Sequence, residues 1–314
     1  VKCLVSGASG FIGRQLCQQL AARGDTVIAL SKHGAPLGSG EPTLALDLTR
    51  NDPDRDLLQG VDVFFHLAGI AHRRARESDY DELNYQVTVR LARLASAADI
   101  RCFIFLSSVK AMGPPSSAAV RAEHACTPPV AAYGRSKWRA ECTLREQFAE
   151  DPMSVVIVRP ALVYGANVKG NLQNLASGVR RGLPRPPAGG SRSMIALADL
   201  VELLCLIAQR PPHSGVHTWI ACGMESYSTQ AIYDMLREAL GRGKGSNWWP
   251  CWVWRVGASL LDIASNQREE STYEKLFGTE LYSNAAVLAD TPWRPRTRLE
   301  DVIAQIARGG SSGS

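Results

Sequence analysis

The chain has 314 residues, 45% of them hydrophobic, with 35 Lys and Arg against 30 Asp and Glu for a net charge of +5. That apolar content excludes disorder, and no collagen or coiled-coil period is present. The positive excess is too dilute for a nucleic-acid binder: the one dense basic run, Arg73, Arg74 and Arg76, is followed at once by Glu77.

From the N-terminus, residues 1–6 form an apolar run, followed by a glycine-rich turn and a helical pattern to residue 23, closed by Gly24. Strands are predicted over residues 26–30, 43–46 and 61–67. An amphipathic helix is predicted over 80–98, with Leu83, Val87, Leu91, Leu94 and Ala98 on one side. Residues 102–106 read as a strand, 133–148 as a helix and 155–158 as a sixth strand. Near-continuous apolar strands alternating with helices predict an α/β fold with a parallel sheet covered on both faces. Beyond Arg159, residues 165–191 are rich in Gly, Asn, Arg and Pro and read as a loop-dominated substrate region. A helix over 199–209, a strand over 215–221 and a helix capped by Ser228 and ending at Gly241 follow. Residues 248–308 mix helix signals with aromatic residues, and 309–314 form a tail.

The eight cysteines are at least fourteen residues apart, so there is no CxxC pair, and most lie in apolar runs as buried thiols do in a reducing compartment. His72 and His124 have no ligand spacing, and no metal is expected. No signal peptide is visible, and the most apolar late stretch, 248–264, holds Pro250, Arg255 and Asp262 and is too short to span a membrane. The expectation is a cytoplasmic protein with no membrane span.

Gly7-Ala8-Ser9-Gly10-Phe11-Ile12-Gly13 stands between the first strand and the first helix. A turn without bulky side chains lets backbone N–H groups approach a pyrophosphate at a helix N-terminus, and its third glycine lets helix and strand pack closely. The second strand ends in Leu30-Ser31-Lys32-His33, without the carboxylate that holds the ribose of NAD. A hydroxyl at Ser31 and a cation at Lys32 suit a 2′-phosphate, so NADP(H) is favoured, with NAD(H) the alternative. Asp47 and Leu48, after the third strand, are placed to meet the adenine.

Tyr133-Gly134-Arg135-Ser136-Lys137 puts a phenol and an ammonium one helical turn apart. A neighbouring cation favours phenolate, so Tyr133 can exchange a proton with a sugar oxygen while a hydride moves at the adjacent carbon. Ser107 and Ser108 follow a buried strand, at the carboxyl edge where open α/β sheets bind ligands. His66, ending another buried strand, reads as a core histidine.

These residues resemble the extended short-chain dehydrogenase/reductases that act on nucleotide sugars. The pieces that match are the GxxGxxG turn, His66-Leu67-Ala68-Gly69, Asn84, Ser107-Ser108, Tyr133 with Lys137, and Arg159-Pro160 with Val163-Tyr164-Gly165. Looser matches follow at Val168-Lys169-Gly170-Asn171, Arg192-Ser193 and Trp293-Arg294-Pro295. The resemblance implies a Rossmann-type doubly wound sheet over 1–163 plus 192–221, with an interleaved substrate domain over 164–191 plus 222–308. It implies Tyr133 as acid/base, Lys137 as its partner and Ser108 on the substrate oxygen. Leu67, Ala68, Gly69, Asn84, Ser107 and Arg159 would line the cofactor; Lys110, Asn171 and Arg192 would hold a UDP-sugar. A homodimer through helices 80–98 and 133–148 is also implied.

Two departures from the typical 4-epimerases stand out: Lys110 with Met112-Gly113 after the serines, and Ala161-Leu162 where an amide is usual. They point to the branch of 4-keto-6-deoxy-sugar reductases of surface-polysaccharide synthesis. The expected function is therefore reduction at C4 of a UDP-linked 4-keto-6-deoxy sugar, with a UDP-hexose or UDP-N-acetylhexosamine 4-epimerase second. A dehydratase is third, since residues 109–113 carry no acid. A non-catalytic dinucleotide-binding protein would be marked by loss of the Tyr/Lys pair, and both are present. Trp248, Trp249, Trp252 and Trp254 read as a hydrophobic cap, with a sugar wall, a dimer contact or a membrane-proximal patch as alternatives.

Overall fold

The computed structural model describes residues 1–37, 40–71, 75–168, 170–245, 250–264 and 271–309. Among them the strands are β1 (Lys2–Ser6), β2 (Thr26–Ser31), β3 (Leu44–Ala45), β4 (Val63–His66), β5 (Cys102–Leu106), β6 (Ser154–Pro160), β7 (Leu162–Tyr164), β8 (Arg192–Ala196), β9 (Gly215–Ala221) and β10 (Ser226–Tyr227). Strands β1–β6 and β9 form one parallel sheet in the order β3-β2-β1-β4-β5-β6-β9. The order reverses between β1 and β4, and the crevice beyond their carboxyl ends is where such sheets bind dinucleotides.

The sheet is buried on both faces because apolar residues alternate sides along each strand. Val5, Phe65, Ile104 and Val158 pack with α1 (Phe11–Ala22) on one face, and Leu4, Phe64, Phe103 and Ile157 pack on the other. Each such buried side chain contributes roughly 1.5–3 kcal/mol relative to exposure. Between β3 and β6 run α2 (Arg55–Leu58), α3 (Glu77–Tyr80), α4 (Val87–Ala97) and α5 (Ala132–Phe148). The predicted helix over 80–98 thus begins at Glu77, and its stretch Asp81–Gln86 is a π-turn. That wider turn carries Asn84 into the interior, where it is fully buried.

A second sheet, β10-β8-β7, packs with α6 (Asn171–Arg180) and later helices around Tyr164, Leu172, Val179 and Ile303. α6 lies inside the stretch expected to be loop. Its Leu172, Ala176 and Val179 form a buried stripe that the flanking Gly, Pro and Arg residues obscure. Strand β8 was expected on the dinucleotide side and β7 at its edge; both pair in the small sheet, while α7 (Leu197–Gln209) returns to pack on α1's face of the large one. The C-terminal part continues with α8 (Thr229–Ala239), α9 (Cys251–Ala264), α10 (Thr272–Phe277), α11 (Ala285–Asp290) and α12 (Leu299–Arg308). Ser228 caps α8 as predicted, its side chain accepting from the Ala231 N–H. Trp248 and Trp249 lie outside the described residues; Trp252 is exposed and Trp254 stands edge-on to Phe277 at 6.0 Å. Among the described residues no helix is long and apolar enough to cross a membrane, and no group of His, Cys, Asp and Glu could hold a metal.

Candidate active site

The turn after β1 is shaped by close approach of backbones. Gly7 has φ +73°, and a Cβ there would lie 2.7 Å from the Ala68 nitrogen; a Cβ on Gly13 would lie 2.3 Å from the Gly7 carbonyl oxygen. The Gly10 N–H donates to that carbonyl at 2.9 Å and places Gly10 as the N-cap of α1, where it provides no capping side chain. The first-turn N–H groups therefore point out of a helix that carries no acid in its first turn, which suits the diphosphate of a dinucleotide. Ser9 lies on this turn, and its carbonyl accepts from Arg14. Ile12 anchors α1 on the large sheet's core, and Phe11 reaches across to the small sheet's core.

At the far end of the crevice, two expectations change. The Ser31 hydroxyl is buried, 2.5 Å from the Thr43 hydroxyl, and accepts from the Ala35 N–H at 3.0 Å. It is thus occupied inside the fold and does not face a phosphate. Lys32 is exposed but ion-paired to Asp47 at 3.1 Å. Hydrogen bonds from Thr49, with Lys32 adding to them, hold the Asp47 carboxyl down at about 2. Leu48 buries its side chain in the core, and its carbonyl accepts from Arg90 at 2.5 Å.

The catalytic candidates converge beyond β4 and β5. Ser108 stands near Tyr133, the second residue of α5, and its hydroxyl accepts from the Lys110 N–H at 3.2 Å. Burial pushes the phenol above its ordinary value, with Ser108 acting against that and Tyr80, its ring 6.2 Å away, adding to it. Lys137 is buried; its Nζ donates to the Leu106 carbonyl at 2.9 Å and lies 4.5 Å over the Phe105 ring. Burial brings this ammonium down to about 7, and Glu141 partly opposes the fall. Lys137, expected to favour the phenolate of Tyr133, stands one turn further along α5 with its ammonium held on the Leu106 carbonyl.

Leu67, Ala68 and Gly69 floor the crevice. Leu67 N–H donates to the Ser6 carbonyl at 3.2 Å, and a Cβ on Gly69 would come within 2.9 Å of Asn84 Oδ1 and 3.3 Å of Lys137 Nζ. The absence of that Cβ leaves a backbone cradle beside the ammonium. Asn84 was expected to line the cofactor, but its amide bonds both backbone groups of Ile70 and, at 3.1 Å, the Ser136 hydroxyl, so it ties this loop to α5. His66 is a satisfied core residue. Thr88 gives its hydroxyl proton to the Asn84 carbonyl, so it accepts from His66 Nε2, and Nδ1 accepts from Ser6 at 2.8 Å. Burial holds that ring neutral, down at about 3.

Arg159 and Ser107, expected on the cofactor, are turned into the protein. Arg159 is 1% exposed and forms a buried pair with Glu141, its Nε lying 3.0 and 3.1 Å from the two carboxylate oxygens; Ser107 donates to the same carboxylate at 2.6 Å. Arg159 serves structure because its strand ends against α5, where Glu141 is the only way to neutralise it among the described carboxylates it pairs with. Glu141 was missed in the sequence. Its signal was position: Tyr133, Lys137 and Glu141 recur every four residues on one face of α5.

On the substrate side, Asn171 opens α6 and is exposed. Arg192 begins β8 and donates to the Glu274 carbonyl at 2.7 Å. Lys110 pairs with Glu280 at 2.9 Å, a carboxylate absent from the sequence reading. Ser108 and Tyr133 are thus brought together, Lys110 lies two residues along the same turn, and Arg192 is joined to it through the Glu280 segment.

The chain matches the model of the NAD dependent epimerase/dehydratase family over residues 3–221. It is 26% identical over 318 residues to a UDP-glucose 4-epimerase of Vibrio cholerae, covering 97% of this chain and 94% of that one. It is 24% identical over 326 residues to a 2′-dehydrokanamycin reductase of Streptomyces kanamyceticus, covering 100% and 86%. Among solved structures, a UDP-glucuronic acid 4-epimerase from Bacillus cereus, in complex with UDP-glucuronic acid and NAD, superposes with a TM-score of 0.78 at 20% identity, covering 98% of each chain.

Proposed function

Given that the chain belongs to the NAD dependent epimerase/dehydratase family, we propose that it is an oxidoreductase acting at C4 of a UDP-linked sugar, and that it reduces a UDP-4-keto-6-deoxy-(N-acetyl)hexose. The observation that carries this reading is the placement of Tyr133 on α5 one turn before Lys137, whose ammonium is held at the carboxyl edge of the sheet beside the Gly69 cradle. Reduction of a ketone needs a proton donor at the start, and the Tyr133 phenol supplies one. Oxidation of an alcohol, the first half of an epimerisation, needs the phenolate instead.

The residues fit a nicotinamide dinucleotide: the Gly7 and Gly13 close approaches leave room for a diphosphate, and the Gly69 cradle lies against Lys137. Bound there, the dinucleotide supplies the hydride for C4. Ser108 orients the ketone oxygen by hydrogen bonding, and Tyr133 Oη gives that oxygen its proton as the C–H bond forms. Lys137 Nζ stays on the Leu106 carbonyl, beside the cradle, and offsets the phenolate that results. Asn171 and Arg192 are the residues assigned to the diphosphate of the substrate. Because Ser31 is sealed and Lys32 is paired, we infer NAD(H) as the working cofactor; Lys32 alone supports NADP(H). A homodimer through α3–α4 and α5 belongs to the same proposal.

A UDP-sugar 4-epimerase is the second reading, favoured by the likeness to the Vibrio cholerae enzyme along nearly the whole chain. Incubation with UDP-sugars and 4-keto intermediates, with NADH and NADPH, separates the two. A reductase consumes one reduced dinucleotide per product seen by NMR; an epimerase interconverts the C4 isomers with no net change at 340 nm.

A further inference from the structure

One carboxylate joins the two ends of the substrate face. Lys110 stands two residues beyond Ser108, in a short turn whose N-cap is Ser108 itself, and its Nζ lies 2.9 Å from Glu280 Oε1. Glu280 comes from the segment after α10. Its N–H donates to the Ser191 carbonyl at 2.8 Å and its carbonyl accepts from the Ser193 N–H at 2.9 Å, so its main chain is fastened on both sides of Arg192. The Glu280 side chain is 18% exposed and that of Lys110 is 38% exposed. Burial works against the charge on Glu280, and Lys110, Arg192 and Arg121, which all face the carboxylate, together outweigh it and hold it ionised. Arg121 is committed elsewhere, its guanidinium donating to the carbonyls of Met112, Gly113 and Ala125. Lys110 is ion-paired with Glu280 beside the serine assigned to the sugar oxygen, and Arg192 faces the same carboxylate.

We propose that Glu280 selects the class of sugar: by neutralising Lys110 next to Ser108, it makes the sugar end of the site accept an uncharged sugar and reject one that carries a carboxylate. This rests on the UDP-sugar reading above. A lone lysine at that position would attract a uronate. With Glu280 in place, an entering carboxylate meets a fixed negative charge whose counter-ion is already engaged, and like-charge juxtaposition is a strong means of rejecting a ligand.

The test uses calorimetric titration of the NAD-loaded protein with UDP-glucose and with UDP-glucuronic acid, each variant serving as its own reference through the ratio of the two dissociation constants. The wild type should favour UDP-glucose by about tenfold or more, and Glu280→Gln should bring the ratio within about threefold. Lys110→Met, which removes the ion pair at Glu280, should widen the ratio, and it decides the matter if Glu280→Gln does not fold by circular dichroism. A wild type that binds both sugars equally, or a ratio that neither variant moves, overturns the proposal alone. A wild type that binds neither UDP-sugar overturns the nucleotide-sugar reading and this proposal with it.

Discussion

Replacing Glu141 with Gln takes a negative charge out of a site that gathers two arginines and a serine. Glu141 is fully buried, Arg159 is 1% exposed, and Ser107 adds a 2.6 Å hydrogen bond. Arg145 also reaches the carboxylate, at 3.1 Å, but it is partly exposed and contributes little. Removing one member of a buried ion pair typically costs ~3–5 kcal/mol, because the other charge is left uncompensated. The glutamine oxygen still accepts from Ser107 and Arg159, so the expected loss is about 3 kcal/mol, at the low end. That is a large part of the ~5–15 kcal/mol of a typical domain, and urea unfolding followed by circular dichroism measures it.

The same change should reach the chemistry through Lys137, one turn away. Burial already brings this ammonium down to about 7, and Glu141 is what holds it up. His66 from β4 and Glu141 from its own helix face Lys137; Arg159 of β6 and Arg145 face Glu141 in turn. Losing the charge at 141 lowers Lys137 further, so the alkaline limb of kcat/KM moves to lower pH. The sign for stability follows from the same numbers. Between about 7 and the ordinary 10.5, the folded chain binds fewer protons at Lys137 than the unfolded one, so this group makes stability rise with pH across that window. In Glu141→Gln the window opens at lower pH. A loss below about 1 kcal/mol would refute the energetic reasoning, since a buried pair should cost more. An unmoved alkaline limb would refute the link to Lys137. The double variant Glu141→Met, Arg159→Met should recover most of the stability, because no isolated charge remains.

Tyr133→Phe removes the proton donor and should lower kcat by about 10²–10⁴-fold with little change in dinucleotide affinity; full turnover would overturn the proposed chemistry. Gly7→Ala forces a Cβ to within 2.7 Å of the Ala68 nitrogen at a φ of +73°, so dinucleotide binding followed by fluorescence should be lost, and retained affinity would exclude this turn as the phosphate site. Lys32→Ala should leave the KM for NADH within about twofold while raising that for NADPH by roughly tenfold, the scale of one charge-assisted hydrogen bond. A rise for both cofactors would place Lys32 on a phosphate they share.

The large sheet was legible because its strands are short apolar runs whose burial on both faces leaves little ambiguity of pattern, and β5 and β9 occupy the predicted residues. The small sheet was not, because β7, β8 and β10 have two to five residues and pair across long stretches of chain. At the site, position along the sheet edge located Ser108, Tyr133 and the glycine turn. Direction of side chains was beyond reach. Ser31, Ser107, Asn84 and Arg159 stand at the expected ends of strands and helices, yet each spends its polar atoms on partners inside the fold. Glu141 and Glu280, the partners that decide where Arg159 and Lys110 go, become visible only once α5 faces β6 and the segment after α10 reaches the turn that follows β5.

The proton inventory of the pocket bears on direction. His66 has both ring nitrogens satisfied by hydroxyls and is neutral throughout the physiological range, so it neither gives nor takes a proton there. Glu141 is matched by Arg159, and Glu280 by Lys110. What remains of these described groups is a protonated phenol at Tyr133 and, at Lys137, an ammonium poised at about 7. In the proposed reduction Tyr133 gives its proton to the carbonyl oxygen, and the phenolate that is left favours the ammonium form of Lys137, one turn along α5. Running the cycle from an alcohol requires first taking a proton from a phenol that burial has made reluctant to lose it. The proposed ketone reduction thus starts from the protonated phenol, whereas alcohol oxidation would first have to ionise it.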